Sequence, residues 1–250
     1  MVPTAFTELS VATTDTTKSP AAIGASKVND WFVWNDSGTI RVGHGPDWTS
    51  DTARSAGTAL VLVNGIYLNN ASLTNGPAAS RGTYVGTTRS NASSQLDWIF
   101  PAGLVAGAFN VWNAYNRRSV TGSATDNGSW TYTTATVRQT HGAATNQINF
   151  VSGLAEDAID VSFGQLSTLT ANIGTYVEIG WGLDSITVRT KSTACQNTGT
   201  GAGQFSMFCR GSLLPQIGHH YVASMELGDG VRANTFFGGE YSALTLSGMF

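Results

Sequence analysis

The stretch Gly107 to Val120 reads GAFNVWNAYNRRSV, and its pattern decides what kind of β structure surrounds it. Side chains alternate along a strand with a period of two. Phe109, Val111, Asn113 and Tyr115 therefore share one face, and Asn110, Trp112, Ala114 and Asn116 share the other. A strand with one wet face reads apolar, polar, apolar. This one carries rings and amides on both sides, which predicts a strand held between two layers, with Trp112 and Tyr115 burying large areas on opposite sides. Arg117 and Arg118 would then close its end against carboxylates such as Asp97, Glu156 or Asp157.

Outward from this stretch, strand signals recur with Gly, Asn, Ser and Thr punctuation, the pattern of a sandwich or barrel. The expected strands are Val28 to Trp34, Thr39 to Val42, Thr58 to Leu68, Gly82 to Arg89, Gln95 to Ile99, Phe109 to Asn116, Ser129 to Arg138, Gln147 to Val151 and Ala158 to Phe163. They continue with Tyr176 to Gly182, Ser185 to Arg189, Gln204 to Phe208, His220 to Glu226 and Thr235 to Tyr241. No segment sustains a helical stripe over three turns, and the nearest approaches, Gly164 to Ala171 and Leu213 to His219, are short. The expectation is an all-β chain, an antiparallel β-sandwich of jelly-roll type with few short helices. Asn75-Gly76-Pro77, Asn127-Gly128 and Asp229-Gly230 suit tight connections, and Asn64-Gly65 favours a hairpin within TALVLVNGIYLNN over one bulged strand.

Residues 1–25 are polar and Thr-rich and cannot alone offset a backbone ordering cost of about 1 to 2 kcal/mol per residue. They read as an extended N-terminal arm, either loose or laid on a neighbouring subunit. Residues 26–250 read as a single sandwich domain, interrupted by a long surface loop from Thr190 to Gln204.

Only 12% of the 250 residues are charged, against about 25% in an ordinary globular chain, and lysine is nearly absent. Surfaces this poor in charge suit a protein packed against neighbours. The net charge of −3 provides no basic field for nucleic acid or an anionic membrane. No apolar run reaches the ~18 to 20 residues of a membrane helix, and the start lacks the basic and apolar regions of a secretion signal. Cys195 and Cys209, the only cysteines, are either free thiols or a bridge across the Gly-rich loop between them.

Residues for chemistry are thin. His44, His141, His219 and His220 come without metal-ligand spacing, and adjacent histidines on a strand point to opposite faces. Glu156, Asp157 and Asp160 are the densest acidic group, yet neighbouring carboxylates in one loop do not supply the opposed pair of a glycosidase, and the repeat of a calcium loop is absent. No G-x-S-x-G elbow is present, and GTGAGQ at Gly199 to Gln204 precedes no helix. The reading is of no catalytic residues, no metal and no cofactor. Ten of the 13 basic residues are arginine, most at strand ends, where a planar fork suits carboxylates and aromatic rings.

The segments RGTYVGT, QLDW, VWNAYNR and SWTYTTATVR, together with the apolar NGI stretch, resemble in this order a group of tailed-bacteriophage virion proteins labelled as tail or structural. The resemblance runs from about Val42 to Gly182 and weakens beyond Lys191, and the doubled arginine at Arg117 and Arg118 departs from the single-Arg form. It implies a virion component assembled in the host bacterial cytoplasm, non-enzymatic, and a homo-oligomer, by analogy a trimer. Its partners would be sister subunits and other virion proteins such as major capsid or tail proteins, with no nucleic acid and no membrane. Two placements compete: a capsid decoration or cement protein, or head-fibre component, and a tail fibre or tail-associated part that contacts a host surface glycan. A virion-associated glycan hydrolase is a third reading, its acids drawn from Asp97, Glu156, Asp157, Glu178 and Asp184. The interface and structural candidates are Trp112, Tyr115, Arg117, Arg118, Arg81, Tyr84, Trp98, Trp130 and Arg138.

Overall fold

A computed structural model describes residues 9–101 and 105–250 and shows an all-β chain of three sheets. The first sheet takes β1 (Val28–Asp36), β2 (Thr39–His44), β3 (Leu60–Val63), β4 (Ile66–Asn69) and β5 (Thr83–Arg89). The chain enters the second sheet with β6 (Trp98–Ile99) and β7 (Gly107–Phe109), then returns to the first with β8 (Val111–Asn113). β9 (Ser119–Thr125) and β10 (Trp130–Tyr132) belong to the third sheet, β11 (Arg138–Gln139) and β12 (Gln147–Ser152) to the second, and β13 (Ile159–Leu169) to the third. β14 (Tyr176–Leu183) and β15 (Lys191–Gln196) lie in the second sheet, β16 (Gly203–Leu213) in the third and β17 (Gly218–Leu227) in the second. β18 (Asn234–Phe236) and β19 (Ser242–Met249) complete the third. The helical residues described form three short 3-10 turns.

The second and third sheets make a sandwich, with β13 against β14, β15 against β16 and β17 against β19. Inward residues of both, among them Phe150, Phe163, Ile179, Trp181, Val222 and Leu244, form its core, as period-two alternation requires. The first sheet packs onto β12 through β5 and β8. Its β3–β4 hairpin turns on Asn64 (φ 50°) and Gly65 (φ 79°), so Asn-Gly there is a turn with two positive φ values and not a bulge.

The segment Phe109 to Asn116 is two strands in two sheets. β7 runs parallel to β12, whereas β8 runs antiparallel to β5, and Asn110 carries the chain between them. Phe109 enters the sandwich core and Trp112 the interior of the first sheet, which is why both parities carry large rings. Tyr115 lies past the end of β8 and is 59% exposed, contrary to the expectation of burial. Its backbone N–H is taken up by the Asn113 side chain in an Asx turn that ends the strand.

Other boundaries moved for local reasons. Ser185 to Arg189 is no strand, because the Ser185 hydroxyl accepts the N–H groups of Thr187 and Val188 and holds a turn. Ser129 to Arg138 breaks into β10 and β11, and Gln95 to Ile99 shortens to β6. The expected loop from Thr190 to Gln204 holds β15, leaving a short connection in which the Asn197 amide spans Thr170 O and Gly201 O. β9 and β19, which pair along their length, are strands outside the expected set, although SALTLSGM in β19 does alternate. Residues 9–25 form no strand but lie on their own chain: Ser19 and Ile23 are buried, and the Ser19 hydroxyl accepts the His44 N–H. The first eight residues of the expected arm lie outside the described residues.

Candidate functional site

Asp30 sits on the inward parity of β1, between Val28 and Phe32, and is wholly buried. Arg54 meets it through Nε to Oδ2 at 2.7 Å and Nη2 to Oδ1 at 3.0 Å, and also donates to Gly153 O at 2.8 Å. The Thr87 hydroxyl donates to Asp30 Oδ1 at 2.6 Å, which leaves the Tyr84 hydroxyl to donate to Thr87. The guanidinium lies 4.3 Å from the centre of the Trp48 ring. Burial pushes the Asp30 carboxyl up against the opposing pull of Arg54, and it pushes the Tyr84 phenol up as well. Trp112, 1% exposed, stacks on Tyr84 with centroids 6.3 Å apart, and the Arg117 guanidinium lies 5.3 Å from the centre of its ring.

A second network surrounds Glu226, wholly buried on β17. Trp130 Nε1, Arg138 Nε and the His141 backbone N–H all donate to its carboxylate. Burial pushes this carboxyl up, and the Trp130 and Arg138 donors oppose it. Trp130 is sandwiched between His141 (4.8 Å) and Phe236 (5.7 Å), and Arg138 stacks on Tyr132 at 3.8 Å. His141 Nδ1 lies 2.9 Å from Asp126, which also accepts from Asn146.

Most of the other described acids are also held within the chain. Arg117 binds Glu156 at 3.0 Å and Asp157, as the sequence suggested, while Asp97 is held by the Asn91 amide and not by an arginine. Glu178 meets Arg189, and Asp184 meets His220 at 2.7 Å. His219 faces Asp51 instead, so the two histidines do point apart. Burial, then the Arg89 guanidinium, holds His219 down at about 4; burial also lowers His220, but Asp184 outweighs it and the net shift is upward. Among the described residues, no group of three His, Cys, Asp or Glu side chains is placed to hold a metal, and no helix is long and apolar enough to cross a membrane. Cys195 and Cys209 are separate thiols, both pushed up by burial.

The nine interface candidates therefore do not converge on one site. Tyr84, Trp112 and Trp130 are buried within the chain, and Arg117 and Arg138 are engaged by acids of the same chain. Arg118 pairs through its backbone with Phe250, and its side chain is exposed, as are Arg81 and Tyr115. Trp98 is different: it lies on β6, the edge of the second sheet, 40% exposed, beside Ile99 (37%), Phe100 (54%) and Val105 (51%). Its ring rests 5.3 Å from Phe109 and 6.2 Å from Phe250, so an open apolar edge is anchored to the sandwich core. The sequence reading missed Arg54, Asp30 and Glu226. An acid on the apolar parity of a strand, as in VNDWF, is the signal that marks such a buried pair.

No family model matches the chain, and no curated protein matches it. Among solved structures it is similar to dimeric latent PorU from Porphyromonas gingivalis, at 8% identity and a TM-score of 0.33, over 91% of this chain and 24% of that one. It is also similar to infectious bursal disease virus, Gx strain, at 13% identity and a TM-score of 0.26, over 91% of this chain and 65% of that one. Similarity to the exo-β-1,3-galactanase of Phanerochaete chrysosporium is 10% identity at a TM-score of 0.19, over 90% of this chain and 51% of that one. The chain thus spans about a quarter of the PorU length, and at these scores the likenesses carry no argument about function.

Proposed function

We propose that this chain is a non-enzymatic structural component of a bacteriophage particle, a capsid-surface decoration or cement protein that acts through subunit contacts. The observation that carries the reading is the edge formed by Trp98, Ile99 and Phe100: contiguous apolar side chains, uncharged, on and just after a strand with one side unpaired among the described residues. Large rings left in water at a sheet edge are a contact surface or an aggregation hazard, and although β6 is short and Pro101 ends its segment, the rings themselves stay exposed. A sister copy of the chain is the occupant that fits best, since most arginines and acids are already paired internally and leave little charge to select a different partner. The same pairing supports a non-catalytic role, because the buried carboxylates Asp30 and Glu226 are held by arginine and not opposed across a cleft. A trimer is the assembly proposed, on the phage resemblance alone.

The test adds purified protein to particles lacking it and images them by cryo-electron microscopy. Density repeating over the shell, lost with Trp98→Asp, is the expected result. Density confined to the tail would replace the capsid placement with an attachment role.

A further inference from the structure

β16 is an eleven-residue strand at the edge of the third sheet, and its outward parity is Gln204, Ser206, Phe208, Arg210 and Ser212. One large ring thus stands in an otherwise polar series, 64% exposed. Cross-strand register shows what surrounds it. Phe208 lies opposite Gly164 on β13, which lies opposite Ala243 on β19, so no large side chain stands beside the ring in its own row. On one side the next row is Arg210, Ser162 and Thr245, and the one beyond is Ser212, Asp160 and Ser247; on the other side the next row holds Ser206 and Leu166. The ring leans over the glycine: a Cβ placed on Gly164 would touch Phe208 Cδ2 at 3.6 Å. Gly164 leaves the floor low beside the ring, and the rows toward Asp160 carry only small or polar side chains.

We propose that this face binds a saccharide, with Phe208 as the stacking platform and the Asp160–Arg210 pair as the anchor for its hydroxyls. A sugar ring presents a C–H face that packs on an aromatic ring and an edge of hydroxyls that both donate and accept. The protein offers the matching set. Arg210 Nη2 and Asp160 Oδ2 lie 3.6 Å apart, both side chains are half-exposed or more, and Asp160 Oδ1 accepts the Ser212 hydroxyl, so a forked donor and a carboxylate oxygen sit side by side for adjacent hydroxyls. Ser and Thr hydroxyls complete the wall, and a shallow depression of about 230 Å³ lies between Phe208, Arg210, Asp160 and Thr245. Between Phe208 and Asp160 the surface is rich in hydroxyls, with Ser162, Thr245 and Ser247 on it, which suits an uncharged ligand of the same chemistry. The site is distant in the fold from the Trp98 edge, on the opposite sheet of the sandwich, and stands independently of that contact.

The experiment is saturation-transfer NMR on the full chain with the methyl glycosides of glucose, galactose, N-acetylglucosamine and rhamnose, each at millimolar concentration. At least one should receive saturation on its ring C–H protons. Phe208→Ala should lower that transfer about tenfold, Asp160→Asn should weaken binding about tenfold, and Phe208→Trp should retain it, as loss of one charged or stacking contact implies. No transfer to any of the four, or equal transfer in Phe208→Ala, would overturn the proposal. So would a concentration-dependent dimer in sedimentation that Phe208→Ala abolishes, which would assign the ring to a second copy of the chain.

Discussion

Arg54 lies bidentate on Asp30, Nε to Oδ2 at 2.7 Å and Nη2 to Oδ1 at 3.0 Å, and the carboxylate it neutralises is wholly out of water. The pair ties the loop after β2 to β1, and through Gly153 O to the chain leaving β12, so it joins the first sheet to the sandwich. Removing the cation alone leaves a buried charge unmatched. Arg54→Met should therefore cost about 3 to 5 kcal/mol in urea unfolding, and Asp30→Asn in the same chain should recover a large part of that loss. Additive single-variant costs would show that the two residues do not act as a pair.

Trp112 and Tyr115 are separated by three positions and by the whole difference between inside and outside. Trp112 is 1% exposed and packed against Tyr84 and Arg117, whereas Tyr115 is 59% exposed. Trp112→Ala should cost about 3 to 5 kcal/mol, and Tyr115→Ala should stay within about 0.5 kcal/mol in the isolated chain. A loss under about 1 kcal/mol at Trp112 would mean its ring is not in a core.

His219 makes stability depend on pH in a defined window. Its folded pKa is lowered to about 4, with burial and Arg89 outweighing the favourable Asp51 contact, while an unfolded histidine titrates near 6.5. As pH falls from about 6.5 to about 4 the unfolded chain takes up a proton that the folded chain refuses, so stability present above this window is lost across it, by on the order of 3 kcal/mol. His220, raised by Asp184, acts with the opposite sign: its contribution is present below about 6.5 and is lost as pH rises through its folded value. The gap in unfolding free energy between wild type and His219→Gln should therefore change between pH 7 and pH 4, and a constant gap would refute the assignment.

Period-two reading found β1, β2, β5, β12, β14 and β17 because each carries β-branched or aromatic residues between turn signals. It missed β9 and β15, whose segments SVTGSAT and KSTACQ have almost no apolar alternation and are strands because β19 and β14 pair with them. It read Phe109 to Asn116 as one strand because alternation does not register a change of sheet at Asn110. The same parity reasoning, run for exceptions, would have found the sites: an acid among apolar residues at Asp30, and a ring among polar ones at Phe208. What no pattern carried was the partner of each, since Arg54 comes from a loop with no strand signal of its own.

Gly153 tests how tightly the first sheet is fitted to the sandwich. It follows β12, its carbonyl accepts from Arg54 Nη2, and a Cβ there would collide with Tyr84 Oη and meet Thr87 Oγ1 at 2.5 Å and Trp112 Cε3 at 2.6 Å. Tyr84 and Trp112 are almost wholly buried and stacked on one another, and Thr87 is fixed on Asp30, so none of the three can withdraw without breaking the network. Overpacking of a close-packed site typically costs about 1 to 3 kcal/mol, and with the Asp30 hydrogen bonds disturbed Gly153→Ala should reach or exceed the top of that range. Gly201, where a Cβ would meet nothing within 4 Å, provides the matched control, and Gly201→Ala should stay within about 0.5 kcal/mol. Equal unfolding midpoints for the two variants would mean that the first sheet can part from β12 without disturbing Asp30. A loss confined to Gly153→Ala, accompanied by a change in tryptophan fluorescence that Trp112→Phe removes, would show that this close approach helps fix the first sheet on the sandwich.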